Sequence, residues 1–441
     1  MPAAPIIATR GAVTAPARPI AELDPTEAKA RPTGVEELDR VLGGGLVPGS
    51  VVLLAGEPGV GKSTLLLEVA NRFAGAGGRP ALIVTGEEST AQVRMRAERT
   101  AALHPQLYLA AENDLAAVLS HVDQVEPGLL VLDSVQTIAT AAVDGSAGGV
   151  PQIRAVAASL ISLAKQRGFA TVLVGHVTKD GSIAGPRVLE HLVDVVLHFE
   201  GDRHSALRIL RATKNRFGAA DEIGCFEMRE AGVVGLSDPS RLFLSERPRA
   251  VPGTCVTITL EGRRPLVTEI QSLVAHSVGG SPRRSVSGLD SARVAMLLAV
   301  LTKPTQIAFG EYEVYASTVG GLSATEPGAD LATALAIVSA ARNIPLPPTM
   351  CAIGEVSLSG DVRRVNGIAR RLAEAARLGF RTALVPRDHL GDVVAPEAGD
   401  IRAVPVATVA EAITSATNLS RTQTELRRPS LRAIDGGGGP L

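Results

Sequence analysis

The chain has no tryptophan, three tyrosines and eight phenylalanines among 441 residues, so it offers almost no material for an aromatic platform on which nucleobases stack. Cysteine is equally scarce. Cys225, Cys255 and Cys351 are odd in number and far apart, which excludes a disulfide framework and a zinc cluster and fits a reducing cytoplasm. No apolar run approaches the roughly 18 to 20 residues of a membrane-spanning helix, so no membrane partner is expected. The opening stretch, MPAAPIIATRGAVTAPARP, lacks the basic start and apolar core of a signal peptide. Residues 1–31 read as a disordered lead-in. An excess of charge of one sign is missing too: the net charge is −1, so any grip on nucleic acid has to come from a local basic surface.

What is present is an ordinary globular composition, 45% hydrophobic and 20% charged, in a chain long enough for about two or three domains. The apolar run Val51–Leu54 leads into GEPGVGKST: Gly56, Glu57, Pro58, Gly59, Val60, Gly61, Lys62, Ser63 and Thr64. A buried strand entering a glycine turn and then a helix, from Ser63 to about Ala74, aims backbone N–H groups and a helix N-terminus at one point. Polyphosphate suits that geometry. Lys62 is placed to reach the β- and γ-phosphates of ATP and Ser63 to put its hydroxyl on Mg²⁺.

From Pro32 to about Glu246 strand-like and helical stretches alternate, which implies a mainly parallel sheet with ligands at the carboxyl ends of its strands. Asp133 closes the run Leu129–Leu132, where a Mg²⁺-organising carboxylate belongs, on a strand expected to neighbour that of the phosphate loop. Glu87 and Glu88 follow the strand Ala81–Thr85. Glu87 is the candidate base for the attacking water, against the alternative of a dipole-favoured acid at a helix start, and Glu88 is left unassigned. His176 follows the strand Ala170–Gly175 as a candidate γ-phosphate sensor, with Lys179 and Arg187 beyond it able to hold a nucleic-acid backbone. Lys214 and Arg216 lie two apart in KNRFG. On one side of an extended segment they repel unless an anion lies between them, which suits a neighbouring subunit's triphosphate; the plain alternative is an exposed basic turn.

Five segments, together with the phosphate loop, resemble the RadA/Sms family of bacterial DNA-repair ATPases, within the wider RecA and DnaB-helicase group. They are TGVEELDRVLGGGLVPGS (Thr33–Ser50), TGEES, VLDSVQT, GHVTKDGSIAGPRVLEHLVD (Gly175–Asp194) and KNRFG (Lys214–Gly218), and the likeness runs from about Thr33 to Ser415. The resemblance implies a RecA-like ATPase domain over residues 32–248 with Glu87 as catalytic carboxylate. It also implies a loop after His176 that approaches DNA, and a homo-hexamer in which Lys214 and Arg216 act across the interface. Its implied activity is branch migration by movement along single-stranded DNA, on branched recombination intermediates, with the RecA recombinase as a possible partner. Members usually begin with a four-cysteine zinc module. Here the first cysteine is Cys225, so zinc is not expected in this chain, and a contact made through that module does not carry over.

Pro248, Pro252 and Gly253 mark a boundary, and residues 249–420 resemble the proteolytic domain of Lon, an α+β unit of the ribosomal S5 domain 2-like kind. Laid along the Lon pattern, Gly328 takes the nucleophile's place and Ala369 that of its lysine, and no lysine lies beyond Lys303. Both reactive groups being absent, this half reads as an oligomerisation platform rather than a peptidase. Arginine pairs are dense there: Arg263–Arg264, Arg283–Arg284, Arg363–Arg364 and Arg370–Arg371. Arg283, Arg284, Arg363 and Arg364 are the candidate DNA contacts, through phosphates rather than bases. After Ser415 the chain turns polar and residues 421–441 read as a disordered tail. Two other readings stay open: an ATP-dependent Lon-type protease, and a nucleotide-switched assembly ATPase akin to KaiC.

Overall fold

A computed structural model of the chain describes residues 19–22, 25–176, 185–201, 206–242, 250–277, 282–319, 323–387 and 400–426. The first domain runs α1 (Glu36–Leu42), β1 (Val51–Gly56), α2 (Lys62–Gly75), β2 (Ala81–Thr85), α3 (Thr90–Arg99), β3 (Leu107–Ala111), α4 (Leu115–Val125), β4 (Leu129–Asp133), α5 (Val150–Arg167) and β5 (Ala170–His176). It continues with α6 (Gly185–Glu190), β6 (Val195–Glu200), β7 (Leu207–Asn215), β8 (Ile223–Arg229) and β9 (Gly232–Gly235). Nine strands form one sheet in the order β3-β2-β4-β5-β1-β6-β7-β8-β9. From β3 to β6 neighbours are parallel, and β7, β8 and β9 are added antiparallel.

Successive strand residues face opposite layers, which is why these strands are apolar without alternation. Val52, Leu54, Ile83, Val131, Val172 and Val174 join the core under α1 and α2. Val51, Leu53, Leu82, Val84, Leu130, Leu132 and Leu173 join the core under α4 and α5. Local chemistry sets the helix ends. Ser89 and Gln92 form a reciprocal capping box at the start of α3, Asp114 caps α4, and Gly168 in the left-handed conformation ends α5.

The second domain contains β10 (Thr254–Glu261), β11 (Arg264–His276), β12 (Arg284–Ser287), α7 (Ser291–Thr305), β13 (Tyr312–Thr318), α8 (Asp330–Arg342) and β14 (Met350–Ala352). After these come β15 (Glu355–Val356), β16 (Val362–Arg363), α9 (Ile368–Arg377), β17 (Thr382–Pro386), β18 (Arg402–Val406) and α10 (Val409–Leu426). Seven of its strands form a mixed sheet, β12-β13-β11-β10-β14-β17-β18, and β15 pairs with β16 apart from it. The helix α8 is buried on every side from Asp330 to Ser339, packed against α7, α10 and the sheet, and its sequence is correspondingly apolar apart from Asp330, Thr333 and Ser339. On the other sheet face α9 buries Ile368, Leu372 and Ala375 against Val256, Ile258 and Val385. This is the α/β core followed by an α+β domain that the sequence led us to expect.

The domains meet through charge. Glu37 of α1 pairs with Arg264 at the start of β11, and Arg264 also donates to Leu236 O at 3.0 Å and Ser237 O at 2.9 Å. Around that contact Arg211 pairs with Glu261 at 2.5 Å and Arg377 with Asp238 at 2.8 Å.

Three expectations need correcting. The lead-in to residue 31 is not featureless: Ile20–Glu22 and Pro25–Ala28 form 3₁₀ turns and Arg31 bridges Leu46. Nor does the fold end at Ser415 or residue 420, because α10 continues to Leu426 and buries Ala412, Ile413 and Ala416 in the second core. And the Asp133 strand, β4, does not adjoin β1, since β5 lies between them. The 248/249 boundary falls in 243–249, outside the described residues.

Candidate active site

Strand β1 delivers the phosphate loop and α2 receives it. A side chain at Gly56 would begin 2.4 Å from Phe199 O, so only glycine fits there. Gly59 has φ +79° and nothing within 4 Å of where its side chain would start, so the loop is open on that side. Lys62 is 3% exposed and its Nζ donates to Gly56 O at 2.8 Å and Glu57 O at 2.9 Å. Burial lowers its pKa to about 8, opposed by the charges of Asp133 and Glu87. The Ser63 hydroxyl hydrogen-bonds Asp133, whose carboxyl is pushed upward by burial. Burial thus disfavours the charged form of both groups, and a phosphate and a divalent cation would favour it. One hydroxyl and one carboxylate suit Mg²⁺, which keeps waters and phosphate oxygens in its shell rather than needing a full protein cage. Ser63 and Asp133 would hold it.

Although β5 intervenes, the strand ends converge. Thr85 is in register with Asp133, and Gly56 with His176. Glu87 accepts a hydrogen bond from Ser134 Oγ at 2.6 Å, and His176 Nε2 lies 3.1 Å from Glu87 Oε1. Among the described residues neither ring nitrogen of His176 completes a hydrogen bond. Glu88 turns away: it pairs with Arg96 at 2.5 Å and its N–H donates to Thr85 Oγ1. Lys62, Ser63, Asp133, Glu87 and His176 therefore surround one space. Thr64 lies apart, on a cavity of about 370 Å³ that it lines with Glu68, Arg72, Thr100 and Gly232.

Two residues of this site went unassigned in the sequence, Ser134 and Gln136. The signal was there: polar side chains one and three places after the aspartate, in the 3₁₀ turn that follows β4. Gln136 exchanges two hydrogen bonds with the backbone of His176.

Within the chain Lys214 and Arg216 have separate partners. Lys214 Nζ donates to Glu190 O at 2.8 Å and Val193 O at 2.7 Å, whereas Arg216 lies 3.7 Å from Asp194 with 57% of its side chain exposed. The expected repulsion is relieved by separate partners. Lys179 lies outside the described residues, as does the side chain of Arg187 in α6. Arg283, Arg284, Arg363 and Arg364 are exposed. The other two arginine pairs are split between surface and interior, because Arg264 enters the domain contact and Arg371 is 1% exposed.

Arg371 lies beside Gly328 and two residues along the chain from Ala369, the two positions that the sequence aligned with the Lon dyad. Its Nη1 is 3.2 Å from where a side chain at Gly328 would begin, and its guanidinium pairs with Glu326 at 2.6 and 2.8 Å. Among the described residues no group of three or more His, Cys, Asp or Glu could hold a metal. No described helix is long and apolar enough to cross a membrane.

The AAA domain family matches residues 16–182, and the family of subunit ChlI of Mg-chelatase matches residues 322–389. A DNA repair protein RadA of Mycolicibacterium smegmatis is 61% identical over 379 residues, spanning 85% of this chain and 81% of that protein. One from Mycobacterium tuberculosis is 58% identical over 86% of this chain and 80% of its own length. One from Streptococcus pneumoniae is 43% identical over 89% of this chain and 93% of its own length. Among solved structures, a KaiC-like protein from Pyrococcus horikoshii aligns over 47% of this chain and 99% of its own, at 22% identity and a TM-score of 0.40.

Proposed function

The chain belongs to the family of the DNA repair protein RadA, and on that premise we propose that it is a DNA-dependent ATPase that moves along single-stranded DNA as a hexamer and drives branch migration of recombination intermediates. The observation that carries the reading is the convergence of Glu87 and His176 on the space bounded by Lys62, Ser63 and Asp133. With ATP on the loop, Lys62 would exchange its loop carbonyls for phosphate oxygens, and Ser63 and Asp133 would hold Mg²⁺, whose contribution there would be to offset charge on the phosphates. Glu87, steadied by Ser134, takes the proton as water attacks the γ-phosphorus and ADP leaves. The cavity beside Thr64 has the room a nucleoside needs.

Of the KNRFG pair, Arg216 is the residue free to reach a neighbour's triphosphate, and Lys214 anchors the strand end behind it. Lys179, Arg187, Arg283, Arg284, Arg363 and Arg364 are the proposed DNA contacts, and the second domain is the platform that joins the subunits. A cytoplasmic location and an encounter with the RecA recombinase accord with such work. The protease alternative is disfavoured by the ion pair of Arg371 in place of a dyad. The test is ATP hydrolysis with and without single-stranded DNA, together with particle mass in nucleotide. Arg216→Ala protein should bind ATP and hydrolyse it poorly, and mixing it with Glu87→Gln protein should restore part of the rate. Hydrolysis indifferent to DNA would leave a nucleotide-switched assembly protein instead; mixed rings without rescue would refute action across the interface.

A further inference from the structure

The strand β5 outruns its neighbour β4. Their register ends at Leu132 opposite Leu173, whereas on its other edge β5 continues along β1 as far as His176 opposite Gly56. The N–H and C=O of one strand residue point to the same edge. For His176 that is the edge β4 has left. Gln136 fills the gap: its Nε2 donates to His176 O at 3.2 Å, and His176 N–H donates to its Oε1 at 3.3 Å. A carboxamide carries the same donor and acceptor as a peptide group, so one side chain completes the ladder that the missing strand residue would have made.

The imidazole that this backbone carries is the one beside Glu87, with Nε2 3.1 Å from Oε1. Neither ring nitrogen completes a hydrogen bond among the described residues, so no side-chain hydrogen bond pulls the ring away from that placement. Glu87 is held from the same turn by Ser134 Oγ at 2.6 Å. One short turn after Asp133 therefore steadies both members of the Glu87–His176 pair, the acid through Ser134 and the histidine through Gln136. We infer that Gln136 is a positioning residue for hydrolysis, its carboxamide standing in for a strand and fixing His176 against Glu87. It touches no phosphate itself, and the loss on removing it should fall on turnover and not on nucleotide affinity, since the contacts of Lys62 are untouched. This rests on the ATPase reading of the site, so the test includes one measurement that does not.

In Gln136→Leu, kcat for ATP should fall about tenfold or more while KM stays within about twofold, misplacement of a reacting group being costly in rate. In a His176→Ala background the same substitution should add less than about twofold, because its effect runs through His176. Gln136→Glu carries the test further and stands in if the leucine variant folds poorly. Its carboxylate can accept from His176 N–H but confronts His176 O with a lone pair, whereas its protonated form donates as the amide does. Its rate relative to wild type should therefore rise as pH falls from about 8 towards 5.5, burial against an acceptor raising a carboxyl's pKa. A purely structural role would leave that ratio flat. Independently of ATP, the His176 amide should exchange with solvent faster in Gln136→Leu than in wild type. Wild-type turnover in Gln136→Leu, or a pH-independent ratio for Gln136→Glu, overturns the inference. If wild-type protein does not hydrolyse ATP the ATPase reading falls, and the exchange rate of the His176 amide alone decides whether Gln136 holds that strand end.

Discussion

Replacing Arg264 by alanine is the perturbation that most directly tests how the two domains are joined. The Glu37 side chain is 1% exposed and that of Arg264 9%, so each is the other's main compensation for leaving water. Among the described residues, Glu37 Oε2 in the Arg264→Ala protein would keep only the Cys225 N–H at 2.8 Å, and Oε1 only the half-exposed Arg40 at 3.5 Å. Leu236 O and Ser237 O would lose their donor as well. Breaking a buried pair by removing one partner costs about 3–5 kcal/mol, and the surviving contacts to Glu37 put the expectation near the lower end, about 3 kcal/mol. With no tryptophan to report on folding, far-UV circular dichroism in urea and calorimetry are the suitable probes. The expected result is that one coupled transition separates into two, the domain carrying Glu37 melting first. Glu37→Gln in the same background should recover part of the loss, because an amide is far cheaper to bury than a lone carboxylate. An Arg264→Ala protein within about 1 kcal/mol of wild type, still melting as one unit, would refute the reasoning.

Two further outcomes are expected. With its pKa lowered to about 8, Lys62 is largely neutral at pH 9 in the free protein and charged at pH 6.5. A phosphate favours the charged form, so ATP binding should take up close to one proton at pH 9 and none at pH 6.5. Calorimetry in buffers of different ionisation heat measures this, and Lys62→Met should abolish the uptake. Separately, Arg283→Ala with Arg284→Ala should weaken single-stranded DNA binding and flatten its dependence on log salt by about 0.7 for each phosphate that the protein no longer neutralises. An unchanged slope would remove that pair from the DNA surface.

The buried parallel strands were legible because covering both faces leaves an unbroken apolar run that glycine ends, as in β1 and β5. Strands of the second domain were harder to read. In β11, RPLVTEIQSLVAH, the burial pattern changes midway, the first half packed between layers and the second exposed on alternate residues. Such a strand shows neither a continuous run nor a clean alternation. Of the active site, the sequence named what touches phosphate but not what steadies it. Lys62 and Asp133 are marked by their place after a strand, whereas Ser134 and Gln136 matter through partners some forty residues away in the chain, Glu87 and His176. Charge pairs misled for a related reason. Arg263–Arg264 and Arg370–Arg371 look alike in one dimension, and only the fold shows that one member of each turns inward to Glu37 or Glu326.

The arginine beside Gly328 also constrains the history open to this domain. A serine arriving at that position would find its side chain starting 3.2 Å from a guanidinium, which cannot accept a proton and so cannot activate it. A lysine arriving first at position 369 would have no hydroxyl to serve and a buried cation nearby. Removing Arg371 first strands Glu326, which also accepts the Leu260 N–H at 2.8 Å where the chain enters α8. Each of these single substitutions therefore loses a contact or sets a side chain against a buried cation. Descendants of this chain should keep both the arginine and the glycine together or lose them together, and a variant carrying only one of the two should be rare.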